Sequence, residues 1–186
     1  MPVASRLLVL CLALLTPLLA GLLAGCGAGG LIDDLTSGTT DTGGGPPPPT
    51  GGTAAMSDGE RAYAMEVLRL VNVERARVSV PDLLWDEPAA TVAHGHSVDM
   101  QVRGFFSHVN PSGQDPGARM IAGGMSGYSA WGENIARGQQ TPAAVMASWM
   151  GSQGHRENIL RAIFTHMGVG VHSTNDIWWT QLFVTR

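Results

Sequence analysis

Two imidazoles and a carboxylate punctuate the apolar second half of the 186-residue chain: His108 in FFSH (105–108), Glu133 in GEN (132–134) and His155 in GHR (154–156). These are the side chains from which a divalent-metal site or a proton-transfer site is built. They lie 25 and 22 residues apart, so only a fold can bring them together. His108 and His155 are the candidate metal ligands, with Zn²⁺ or another divalent ion as the candidate cofactor, and Glu133 is a candidate third ligand or general base. The competing reading of the same residues is structural: hydrogen-bonded histidines, and a buried carboxylate held by backbone amides near Asn134.

Other polar residues attract less chemistry. Ser107, Ser112 and Ser148 stand outside any GxSxG nucleophile elbow. His96 falls on the apolar face of a helix with Ala89, Ala93 and Met100 and reads as a core histidine, whereas His94 reads as a surface residue. His166 and His172 flank the penultimate strand and take no assigned role. Trp149, Trp178 and Trp179 read as packing residues. Alternation along a strand places one of the adjacent pair on the outer face of the sheet, where it would hold an apolar or sugar ligand if it lay beside a cleft.

The elements that must position these groups begin at Ser57. Ser57 and Glu60 form a capping-box signature, and Tyr63, Val67, Leu70 and Val71 then fall on one helical face, with Glu66, Arg69, Arg75 and Arg77 on the polar side. Leu83, Leu84 and Trp85 form an apolar plug. Asp86 caps a second helix over about 87–103 with Pro88 in its first turn, and Thr141-Pro142 opens a further helix that Gly154 ends or kinks. Val169–Val171 and Ile177–Val184 are β-rich runs separated by Ser173–Asp176, and a third strand is expected near Glu133–Ala136. Helices first and strands last imply an α+β domain, a small antiparallel sheet covered by helices, over residues 57–186.

The front of the chain indicates where such a domain works. Residues 1–25 carry one basic residue, Arg6, and a long apolar run, the pattern of a secretory signal peptide. Leu23-Ala24-Gly25-Cys26 resembles the bacterial lipobox, which implies lipidation of Cys26 and attachment to the outer face of a bacterial membrane. Residues 26–56 are rich in Gly, Thr and Pro, cannot bury enough apolar surface to fold, and read as a tether. Cys11 leaves with the signal and Cys26 carries lipid, so the folded part has no disulfide. The net charge is −4, every basic residue is Arg, and no basic stripe appears, which excludes nucleic acid as a partner.

Taken in order, HSVDM (96–100), FFSHVNPSG (105–113), GENIARG (132–138), VMASWMGSQGHRENIL (145–160) and FTHMGVGV (164–171) resemble the CAP superfamily. That family groups cysteine-rich secretory proteins, wasp venom antigens and plant pathogenesis-related proteins. The resemblance covers residues 58–186 and implies an α-β-α sandwich. It also implies a cleft lined by two His and two Glu, which map onto His108, Glu133 and His155. Ser152 occupies the place of the second Glu, and this weighs against a four-group catalytic mechanism. Two functions follow from the resemblance. One is a lipid-anchored binding module of the cell envelope, its cleft taking a metal, a small lipid, a glycan or an envelope protein. The other is a metal-assisted hydrolase of peptides or envelope polymers. Oligomeric state is not legible.

Overall fold

A computed structural model describes residues 55–186. The signal expected at 1–25, the lipidation expected at Cys26 and the tether expected up to residue 54 lie outside the described residues. The described part is an α-β-α sandwich of five helices and one four-stranded sheet. In chain order the elements are α1 (Asp58–Arg77), β1 (Leu84–Trp85), α2 (Glu87–Val102), α3 (Pro116–Ala122), β2 (Ala130–Arg137), α4 (Pro142–Gly151), α5 (Gln153–Leu160), β3 (His166–His172) and β4 (Trp178–Thr185).

Local chemistry starts the helices where the sequence reading places them. The Ser57–Glu60 capping box is complete, and Asp86 and Thr141 each accept a bond from the third residue of their helix. The sheet runs β1-β3-β4-β2. The long strands pair antiparallel, but the plug at Leu84–Trp85 is a short edge strand lying parallel to β3, which makes the sheet mixed. A chain that leaves α1, crosses the sheet end and enters α2 passes β3 in the parallel sense.

Alternation sorts the sheet into two cores. Met167, Val169, Val171, Trp179 and Phe183 meet Val67 and Val71 of α1 and Val145 and Trp149 of α4. On the other face Leu182 and Val184 pack with Ala89 and Ala93 of α2, and Trp178 packs with Met100. Trp178 and Trp179 therefore do point to opposite faces. Both are buried, contrary to the expected outward tryptophan, because helices cover both faces.

Packing overrides the sequence reading at three more positions. Arg75, expected on the polar side of α1, is fully buried. Its guanidinium donates to the carbonyls of Pro81, Ile159, Arg161 and Phe164, stitching α1 to the loop after α5. His94, expected at the surface, is also buried, with Nδ1 bonded to the carbonyl of Val171. The break after α4 falls at Ser152, whose extended backbone separates the two helices, and Gly154 lies inside α5. Helix α3 was not foreseen, although Asp115-Pro116 is the same cap-and-proline start seen at Thr141-Pro142. Among the described residues no helix is long and apolar enough to cross a membrane.

Candidate functional site

β2 is an edge strand, and the GEN word sits on it. Glu133 lies opposite Leu182 and so shares the α2 face, whereas Asn134 lies opposite Gln181 and shares the α4 face. The site forms around this edge. His108 arrives from the α2 layer and His155 from the α4–α5 layer.

His108 is placed by the loop that follows α2. Gly104 makes the turn with φ +68, a left-handed conformation that suits glycine. The Asp99–Arg103 pair anchors the loop's start, and Asn110 bonds Asp99, Ser112 and Gln114 to give it shape. His96 lies beneath it, a core histidine as expected, with its Nε2 bonded to the carbonyl of Ser107. Burial pushes the His96 imidazole down to about 4, with Glu133 opposing the shift, so this ring is neutral.

Arg119, from α3, completes the arrangement. One guanidinium nitrogen donates to the carbonyls of His108 and Gln114, and another donates to Glu133 Oε2 at 2.6 Å. Glu133 Oε1 meets His108 Nδ1 at 2.8 Å. A carboxylate only accepts, so Nδ1 donates to it and Nε2 is the ring nitrogen turned away from the acid. The Glu133 side chain is 3 % exposed and that of His108 49 %: the acid stands behind the ring that faces solvent. With one oxygen on Arg119 and the other on His108, Glu133 orients the imidazole rather than reaching a substrate proton or a metal. Arg119 is the site residue that sequence reasoning missed, because the helix carrying it was missed.

His155 reaches the same cleft from α5. Two asparagines dock that helix on β2: Asn134 donates to the carbonyl of His155, and Asn158 donates to Asn134 and to the carbonyl of Glu133. Partial burial, and then the neighbouring His108, lower the His155 pKa and favour its neutral form. His108 and His155 line one open cleft of about 530 Å³ with Phe106, Ile135, Arg137 and Trp149, within the ~300–1,000 Å³ range of small-ligand sites.

The other candidates fall elsewhere. Ser152 joins α4 to α5, makes no side-chain cap bond and does not line the cleft. Ser107 accepts from the amide of Val109, Ser112 from Arg103 and Ser148 from Gln139, so no imidazole activates any of them. His166 and His172 stand at the two ends of β3, bonded to Thr165 and Thr174. For a metal, the orientation of His108 is suitable, since a carboxylate behind a ligating imidazole is the usual supporting arrangement. The number of ligands is not: among the described residues no group of three or more His, Cys, Asp or Glu is arranged to hold an ion. Two imidazoles supply at most two protein ligands, fewer than a closed structural centre uses.

A two-faced sandwich whose edge strand carries GEN between two histidines defines the class. The chain belongs to the cysteine-rich secretory protein (CAP) family, whose model matches residues 68–183. The matched region contains no cysteine. Among its relatives, the Bacillus subtilis protein YkwD is 40 % identical over 134 residues, covering 72 % of this chain and 51 % of YkwD. The B. subtilis membrane protein YlbC is 38 % identical over 121 residues, covering 65 % of this chain and 34 % of YlbC. The chain thus spans between a third and a half of these curated relatives. Among solved structures, an extracellular protein containing an SCP domain from Bacillus anthracis superposes with TM-score 0.65 at 34 % identity, covering 72 % of this chain and 45 % of that one. An outer surface protein of Borrelia burgdorferi, at 17 % identity, shares the fold with TM-score 0.63, covering 71 % and 96 %.

Proposed function

We propose that this chain is an exported binding module of the bacterial cell envelope, lipid-anchored through Cys26, that takes a small ligand in the His108–His155 cleft. The observation that carries this reading is the Arg119–Glu133–His108 chain. It fixes one imidazole at an open, partly apolar groove, yet leaves no carboxylate free to act as a base there. That arrangement suits recognition better than turnover. The extracellular relative from B. anthracis and the outer surface protein of B. burgdorferi support an envelope location.

Anchoring is testable directly. In a host that processes lipoproteins, Cys26→Ser is expected to move the protein from the membrane pellet to the soluble fraction. Retention in the pellet would point to an uncleaved apolar segment instead.

A second reading, metal-assisted hydrolysis, draws on the same oriented imidazole. In it His108 Nε2 and His155 would hold a divalent ion, whose chemistry is to polarise a carbonyl or activate water. Calorimetric titration with Zn²⁺ is expected to give weak 1:1 binding that disappears in His108→Ala/His155→Ala. A tight site unaffected by the double substitution would place the metal elsewhere and remove this reading.

A further inference from the structure

The end of the cleft away from the histidines has a chemistry of its own. The ionisable side chains lining the whole cleft are His108, Arg137 and His155, and no carboxylate lines it. The chain as a whole carries a net charge of −4. Of the three, Arg137 alone carries a permanent charge, so the attraction of the cleft for an anion rests on it.

Arg137 is set for that role. Its Nε donates to Asp176 Oδ2 at 2.9 Å, and its guanidinium lies 4.3 Å over the Trp178 ring. These two contacts fix the plane of the group while its terminal nitrogens make no hydrogen bond within the described residues. Two parallel donors on a fixed plane match a carboxylate.

Beside it, the Gln139 amide is held at 3.5 Å from Ser148 Oγ, and its Oε1 is buried without a partner. A ligand hydroxyl both donates and accepts, so it suits the exposed Ser148 hydroxyl and the amide nitrogen beside it. Phe106, exposed at the cleft, supplies flat apolar wall. A fatty acid brings the anion without the hydroxyls, and a neutral sugar brings the hydroxyls without the anion. A sugar acid brings both.

We propose that Arg137, Gln139 and Ser148 form an acidic-sugar subsite, Arg137 taking the carboxylate and the Gln139–Ser148 pair an adjacent hydroxyl. The inference rests on the reading of the cleft as a ligand site and names the ligand class.

The test is calorimetry on the full chain with three probes: N-acetylmuramic acid, N-acetylglucosamine (the same sugar without the lactyl ether that bears the carboxylate) and octanoate. The acidic sugar is expected to bind at least tenfold more tightly than either of the others. Arg137→Met should abolish the difference between the two sugars, while Arg137→Lys retains part of it. Gln139→Leu should weaken both sugars severalfold and leave octanoate unchanged. Unchanged melting temperatures would show that the variants are folded. Equal affinity for the two sugars overturns the proposal, as does preferred binding of octanoate that is indifferent to Arg137→Met. In either case the cleft still binds a ligand and the broader reading stands. Failure of every probe at tens of millimolar overturns the subsite, and the Zn²⁺ titration then judges the cleft independently.

Discussion

Gly170→Ala is expected to cost about 4 kcal/mol or more, the range reached only by severe core disruption. A β-carbon built at Gly170 overlaps the backbone nitrogen and Cα of His94, and one at Gly168 overlaps the backbone of Ala89 and Ala90. These are main-chain atoms of α2, so no rotamer change makes room; the helix would have to lift from β3 and β4 and open the core around Ala93, Met120 and Leu182. Neither glycine is needed for its backbone angles. They are there because α2 lies against the strand. With total stability of about 5–15 kcal/mol for such a domain, the variant should be largely unfolded or strongly shifted in a urea titration. Gly154→Ala provides the contrast. That glycine is helical with open space around it, so the same added methyl should stabilise by about 0.5–1 kcal/mol. An unchanged urea midpoint for Gly170→Ala would mean that the close α2–β3 contact is wrong.

Arg119→Met is expected to cost about 3–5 kcal/mol, because it strands the buried Glu133 carboxylate without its cationic partner. The carbonyls of His108 and Gln114 lose their donor at the same time. Much of this loss reflects the unpaired acid, so Arg119→Met/Glu133→Gln should be less destabilised than the sum of the single changes. The double-mutant cycle reads that coupling, and additive effects would deny it. A second readout separates orientation from stability. In the native protein the ¹⁵N spectrum of His108 should report a protonated Nδ1, and in the double variant the two tautomers should mix. A His108 ring already mixed in the native protein would remove Glu133 from its orienting role, and with it the argument that this acid is unavailable as a base.

What the sequence determined by itself was local or periodic. Ser57, Asp86 and Thr141 begin helices because each cap bond closes over three residues, and the β-rich runs at 169–171 and 177–184 become strands because branched and aromatic side chains suit a pleated surface. The five sequence words indicated the family, and three of them supply residues around one strand edge. Asp115-Pro116 carries a helix start of the same local kind. The rest depended on what lay across the core. Arg75 looks like any polar-face arginine until four carbonyls, three of them from a distant segment, converge on it. Trp178 and Trp179 are both buried only because helices cover both faces of the sheet. Arg119 gains its place only when α3 brings it against Glu133, fourteen residues further along the chain. Caps and alternation act over a few residues and can be read from them. Burial and ion pairing act between segments that the chain brings together only on folding, and so tertiary structure alone decided which imidazole is oriented, by which acid, and facing which cleft.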